Sequence, residues 1–277
     1  MLFAAFGGIA SAVFAVGFLW VREDHSALIL PHFVSFATGA LLGAALLALL
    51  PEAIEGAGAA GARGIGLTLL AGLGVFFVIE KLVLWWHAHS HADGGDAAAC
   101  AQHADIAEAR TDHGHRHTAD HGHDHARDRA SGVLVLVGDS LHNALDGALI
   151  AAAFLASVRL GVLTTLAVAA HEIPHRVGDF AILVQAGLSR PRALLLNLAT
   201  GIASVAGAIV AYFALRQAFG VLPYALAFAA AGFLYIAVAG LIPGLHRRAD
   251  PRTSATQVIL IGAGIAVIAC AEQLTGR

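Results

Sequence analysis

The sequence has few charged residues and few cysteines, and both shortages limit what the protein can be. Only 13% of its 277 residues are Asp, Glu, Lys or Arg, whereas soluble domains carry about 25%. Because 58% of the residues are hydrophobic, we predict an all-α, polytopic membrane protein embedded in a lipid bilayer. The two cysteines, Cys100 and Cys270, are isolated from each other, so we expect neither a disulfide framework nor an all-cysteine zinc site.

The sequence also gives no indication that the protein binds nucleic acid or ATP. The formal net charge is only -3 and the sequence has no basic cluster, so nothing indicates nucleic-acid binding. The sequence also has no Walker A motif, which argues against direct coupling to ATP.

Eight apolar stretches are each long enough to cross a membrane, which takes roughly 20 residues. The first is too long for the apolar core of a signal peptide and lacks a convincing cleavage pattern, so we expect it to remain as a span. We therefore predict a bundle of about eight transmembrane helices. The predicted spans are 2–21, 27–50, 64–86, 131–157, 160–187, 192–218, 222–246 and 255–274.

The spans divide into two groups around one long polar segment. Residues 1–86 hold the first three spans, 87–130 form a His-rich loop, and 131–277 hold the last five; both groups of spans belong to one membrane domain. More arginines lie on the inner connections when the N-terminus is placed outside, as the positive-inside rule requires. We therefore expect both termini outside, a cytoplasmic loop and an integral protein of the plasma (inner) membrane.

Two polar stripes run along the fourth and fifth predicted spans. Successive residues of an α-helix turn by about 100°, so each set of polar residues shares one helical face. Ionisable groups at membrane depth are rare and usually mark an ion path or a site. The residues of the two stripes are Asp139, His142, Asn143 and Asp146 on the fourth span, and His171, Glu172, His175 and Asp179 on the fifth.

The chemistry of these stripes favours a divalent metal. Imidazole with carboxylate and amide oxygens suits zinc above all, and also Fe²⁺, Mn²⁺, Co²⁺, Ni²⁺ or Cd²⁺. The absence of thiolate favours reversible binding over a structural site. The alternative is a buried hydrogen-bonded network that only holds the two helices together.

At these residues the sequence resembles the ZIP (Zrt/Irt-like) family of divalent-metal transporters. The fourth span is similar to that family's HNxxDG motif, and the fifth to its HExPHExGDF motif. Weaker similarities occur in the second, third and seventh spans. The matching segments are 142–147, 171–180, 50–53, 76–81 and 233–237.

The resemblance implies cation uptake into the cytoplasm through a metal site between the fourth and fifth spans. It also implies alternating access, commonly by dimers, so we expect a homodimer and no enzyme activity. By motif position, the transport ligands would be His142, Asn143, Asp146, His171, Glu172 and His175.

The sequence departs from the family pattern where acidic or metal-binding residues are usual. Arg176 replaces a glutamate of the fifth-span motif, and the other changes remove such residues from the second and seventh spans. We hypothesise that Arg176 pairs with Glu172 or Asp179, at i−4 and i+3, and so displaces a second metal. The other departures are Ala44, Ala48, Gly240 and Gly244.

The loop between the third and fourth spans is dense in histidine. Its Gly, Asp and Ala content cannot build a core, so we expect disorder. Histidines at this density bind zinc or nickel weakly and in several places. A solvated linker without a role is the alternative. The candidate ligands are His113, His115, His117, His121, His123 and His125.

Three other functions compete with metal uptake. His171-Glu172-x-x-His175 also matches the motif of zinc proteases, although Pro174 between the histidines suits a rigid catalytic helix poorly. A metal-efflux facilitator would usually have six spans and a soluble domain. A metal sensor that transports nothing also fits the missing acidic residues.

Two further residues have weaker roles. Asn197 lies on a polar stripe of the sixth span and would border the metal path or bond to a neighbouring helix. Glu52 follows the second span, where it would attract cations from outside or cap a solvated helix end.

Overall fold

The computed structural model describes residues 23–90, 121–246 and 250–275. The predicted first span and most of the His-rich loop lie outside these ranges. Every described element is a helix, so the all-α prediction is confirmed. In chain order the main helices are α1 (Glu23–Gly43), α2 (Leu50–Ser90), α3 (His121–Ala156), α4 (Val158–Gln185), α5 (Arg190–Gln217), α6 (Leu222–Tyr235), α7 (Ile242–Leu245) and α8 (Pro251–Thr275).

Four stretches of the described residues are long and apolar enough to cross a membrane: Ile29–Leu82, Arg190–Gln217, Phe219–Leu245 and Pro251–Gln273. The first has 54 residues, about 80 Å of helix at 1.5 Å per residue, which is more than twice the thickness of a bilayer core. Gly58 interrupts it with φ 65°, a conformation that favours glycine. This break lies between the predicted second and third spans, and the count of eight spans remains a prediction.

Two π-helical segments widen the chain before a proline. Ala44–Leu49 precedes Pro51 and Ile236–Leu241 precedes Pro243. Proline has no N–H to donate, and its ring collides with the carbonyl four residues earlier. That carbonyl lies inside the π-helical segment in both cases, so the wider turn relieves the collision.

The connection between α3 and α4 brings the two polar stripes together. Ser157 is the single residue between these helices; its backbone is extended, and its side chain accepts a hydrogen bond from the Leu160 amide. This is an N-cap, which allows α4 to begin at once. The two helices therefore form an antiparallel hairpin in which the end of one stripe faces the start of the other.

Small residues position α3 against α5. Gly147 meets the backbone of Ser204, and Gly207 meets the backbone of Ala144, so closely that a Cβ atom at either glycine would collide. Such contacts are typical of close helix packing in membranes. The polar face of α3 is thereby held between α4 and α5.

Both ends of the predicted His-rich loop are helical in the structure. Helix α2 continues through Ser90, and α3 begins at His121, so His121, His123 and His125 belong to the first turns of a helix. Disorder is not confirmed for these ends. His113, His115 and His117 lie outside the described residues.

The start of α8 also has a local cap. The Asp250 carboxylate accepts a hydrogen bond of 3.0 Å from the Thr253 amide. Hydrogen bonds from the Thr253 side chain and backbone lower the pKa of this exposed carboxyl, because they stabilise its charged form.

Candidate metal centre

The two polar stripes face each other across the α3–α4 hairpin and form a first cluster. Its members are His142, Asp146, His171 and Glu172, whose donor atoms all lie within 4.8 Å of one another. His171 Nε2 lies 3.2 Å from Asp146 Oδ2 and 3.3 Å from His142 Nε2, and the latter two atoms are 3.7 Å apart. Ligands of a tetrahedral zinc ion with bonds of about 2.0–2.2 Å stand about 3.3–3.6 Å apart. The three distances lie within about 0.1 Å of this range, so the donor atoms are spaced nearly as in a zinc site.

The histidine orientation also suits a metal. His171 Nδ1 lies 3.2 Å from the Ala167 carbonyl oxygen, which can only accept a hydrogen bond. In the tautomer with its proton on Nδ1, the ring presents the lone pair of Nε2 to the cluster. A metal-binding histidine usually has such a hydrogen bond on its other nitrogen, because the bond fixes the ring and its tautomer.

Burial makes this first cluster costly without a cation. Asp146, His171 and Glu172 are each exposed by 2% or less. Among the described residues, Asp146 Oδ2 and both carboxylate oxygens of Glu172 lack a hydrogen bond of good geometry. Buried charges are normally paired or bound to metals. The side chain of His142 is 21% exposed, which leaves one side of the cluster open.

His175 belongs to a second cluster with Asp139 and Asp179. Its Nδ1 atom lies 2.8 Å from Asp179 Oδ2 and 3.8 Å from Asp139 Oδ1. Its ring stacks on that of His142, with centroids 4.8 Å apart. The five predicted transport ligands that are His, Asp or Glu are therefore divided, four to one, between two adjacent clusters.

Arg176 is completely buried and lies beside the first cluster. Its guanidinium pairs with Glu172 Oε1 at 2.8 Å and donates to Asn143 Oδ1 at 3.0 Å. It also donates to the Asn197 carbonyl oxygen at 2.6 Å and to Asn197 Oδ1 at 3.2 Å. Of the two partners considered from the sequence, Arg176 pairs with Glu172, whereas Asp179 pairs with His175.

The two asparagines, Asn143 and Asn197, hold the arginine through hydrogen bonds. Asn143 Nδ2 donates to Asp139 Oδ1 at 2.8 Å, while its oxygen accepts from Arg176. Asn197 Nδ2 donates to the Arg176 carbonyl at 2.8 Å. Asn143, predicted as a ligand, and Asn197, predicted as an accessory residue, thus bind the internal cation in this structure.

The remaining predicted positions lie on α2, on α7 and in the two π-helical segments. Glu52 is a partly exposed residue in the first turn of α2. Ala44 and Ala48 are buried in the first π-helical segment. Gly240 lies in the second π-helical segment and Gly244 in α7.

Sequence reasoning missed one contact of the site. The ring of Phe233, on α6, lies edge-on to His171 with centroids 6.3 Å apart. Phe233 is fully buried and covers the imidazole from that side. Its segment was noted only as a weak family similarity, and the tertiary contact leaves no signal in the spacing of one helix.

Glu172 is poorly placed for the protease alternative. A zinc protease needs this glutamate to activate water, which requires an available carboxylate. Here one carboxylate oxygen pairs with Arg176 at 2.8 Å. Neither the protease nor the sensor alternative gains support from this geometry.

Comparison with known proteins places the whole arrangement in one family. The family model described as "ZIP Zinc transporter" matches residues 1–272. Zinc transporter ZIP13 of Homo sapiens is 34% identical over 272 residues, which cover 90% of this chain and 72% of the relative. Zinc transporter SLC39A7 of Rattus norvegicus is 32% identical over 327 residues, covering 94% and 69%. ZIP13 of Danio rerio is 32% identical over 267 residues, covering 87% and 75%.

These matches agree with the apolar helices and with the buried His/Asp/Glu cluster. They support neither a protease, an efflux facilitator nor a sensor. The chain is an integral membrane protein that belongs to the ZIP zinc transporter family.

Proposed function

We propose that the protein carries zinc into the cytoplasm and that His142, Asp146, His171 and Glu172 bind the ion during transport. The observation that carries this proposal is the first cluster, in which three donor atoms have zinc-like spacing at a buried position. Family membership supplies the transport function, since the matched relatives are named zinc transporters. Imidazole and carboxylate ligands would also accept Fe²⁺, Mn²⁺, Co²⁺, Ni²⁺ or Cd²⁺.

Arg176 limits this cluster to one metal ion. Its guanidinium already neutralises Glu172 and occupies the oxygen of Asn143. A second ion bound by these two residues would lie next to a fixed positive charge in a low-dielectric interior. The remaining donors, two imidazoles and two carboxylates, are enough for four-coordinate zinc.

The direction of transport rests on the predicted topology. The arginine distribution places the His-rich loop in the cytoplasm and both termini outside. Zinc would enter from outside, lose its water at the first cluster and leave toward the side from which α3 begins. There the histidines of the loop would capture it. We expect this orientation in the plasma (inner) membrane, and the homodimer rests on the family resemblance alone.

Zinc entry into proteoliposomes that hold a zinc-sensitive dye tests the proposal. The comparison is between wild type, His171→Ala and a matched control, His246→Ala, which changes the exposed residue directly after α7. We expect wild type and the control to admit zinc and His171→Ala to lose most of the entry. The proposal fails if wild type admits no zinc, or if His171→Ala admits it at the wild-type rate.

A further inference from the structure

The second cluster contains more acceptors than its own protons can satisfy. Asp139 and Asp179 approach the same nitrogen of His175, at 3.8 and 2.8 Å. One imidazole N–H can serve only one of them fully. Oδ1 of Asp139, a residue that is only 3% exposed, accepts from Asn143 Nδ2, but its Oδ2 lacks a hydrogen bond of good geometry among the described residues. Two carboxylates and an imidazole within 4.8 Å form the donor set of a divalent cation.

The position of this cluster along the helices is one turn away from the first. Asp139 precedes His142 by three residues on α3, and His175 follows His171 by four on α4. At 1.5 Å per residue these steps are about 4.5 and 6 Å. Because α3 and α4 are antiparallel, both steps lead toward the same end of the hairpin. That end is where α3 begins, next to the His-rich loop.

The second cluster is also more open than the first. The side chain of His175 is 37% exposed and that of Asp179 is 13% exposed, whereas His171 and Asp146 are 1% and 2% exposed. With three protein donors and this access, the second cluster would bind a cation more weakly and would complete its coordination with water.

We propose that Asp139, His175 and Asp179 form a second, weaker divalent-cation site, which receives zinc from the transport cluster and releases it toward the cytoplasm. The assigned direction rests on the proposed function, but the site itself does not. The stacked rings of His142 and His175, with centroids 4.8 Å apart, connect the two sites. His175 is then a ligand of the release site.

Equilibrium binding of radioactive zinc to the purified full chain tests the site. Wild type is compared with Asp139→Asn, Asp179→Asn, Asp146→Asn and the control Asp250→Asn, which keeps the cap at the start of α8. Zinc bound by the His-rich loop is common to all of these chains and cancels in the differences. We expect Asp139→Asn and Asp179→Asn each to lose one weaker equivalent and Asp146→Asn to lose the tight one. Zinc entry into proteoliposomes should be several-fold slower in the first two variants.

Two results would overturn the release site. The first is that Asp179→Asn binds as many weakly bound zinc ions as wild type, which decides the matter even if Asp139→Asn fails to fold. The second is that Asp179→Asn loses no zinc ion but binds the tightly bound ion less strongly, since Asp179 would then only orient His175. If Asp146→Asn keeps the tight class, it is the transport cluster that fails, and the second site is still judged by its own two variants.

Discussion

The most informative perturbation is removal of the buried charge at Arg176 by Arg176→Met, which keeps much of the side-chain volume. The change removes the ion pair with Glu172 and the donors to Asn143 and Asn197. Glu172 is only 2% exposed, so its carboxylate would remain buried without a countercharge. Zinc bound at the first cluster would replace that countercharge.

The expected size follows from the contacts that are lost. Breaking a buried ion pair by removing one partner costs about 3–5 kcal/mol. Hydrogen bonds to charged groups contribute about 1.5–3 kcal/mol each, so the three lost hydrogen bonds alone would give a penalty at least as large as this. A substitution at an exposed arginine changes stability by only about 0.5 kcal/mol.

The assay is thermal unfolding of the purified protein in detergent, with a chelator and with saturating zinc. In chelator, Arg176→Met should unfold far below wild type, whereas Arg192→Met, at the exposed start of α5, should not. Zinc should raise the midpoint more in Arg176→Met than in wild type, because only the variant lacks a countercharge for Glu172. A variant that matches wild type in chelator would refute the assignment of Arg176 as the internal cation.

Three further predictions concern ligands, packing and the loop. Zinc affinity should fall as the pH is lowered from about 8 to 5, because protons compete with zinc for histidine; binding that is flat over this range would exclude histidine ligation. Gly147→Ala should lower stability by about 1–3 kcal/mol through overpacking against Ser204, while Gly178→Ala, with open space at its Cβ position, should not, and equal melting of the two variants would contradict the α3–α5 packing. Deletion of residues 91–120 should slow uptake at low zinc and leave it unchanged at saturating zinc; uptake unaffected at every concentration would remove the capture role of the loop.

The polar face of each of the two helices could be predicted, because it depends only on the spacing of residues within that helix. The angle between successive residues places His171, His175 and Asp179 on one face without any knowledge of neighbours. The short connection through Ser157 then makes the two faces meet. For these reasons the motifs on α3 and α4 indicated the location of the site.

The division into two clusters could not be predicted from spacing. It depends on the axial register of α3 against α4, which is set by the packing of side chains from both helices. A shift of one turn, about 5.4 Å, would give His175 different partners. The partner of Arg176 was undecided for the same reason, since Glu172 and Asp179 are both within reach on its own helix and the contacts with Asn143 and Asn197 come from other helices.

The helix boundaries show a similar limit. The residues between the second and third predicted spans were expected to form a connection, yet they are helical on both sides of Gly58. Alanine-rich sequence has a high helix propensity, so composition alone does not reveal a break there. The π-helical segments before Pro51 and Pro243 were not predicted either, because proline near a helix end is compatible with several local geometries.

The central claim is that zinc binds between α3 and α4, and an anomalous difference map at the zinc absorption edge tests it most directly. Crystals of the full chain soaked in limiting zinc should show the strongest peak about 2.0–2.2 Å from His171 Nε2 and Asp146 Oδ2. A map whose peaks all lie in the His-rich loop, with none between α3 and α4, would contradict the account.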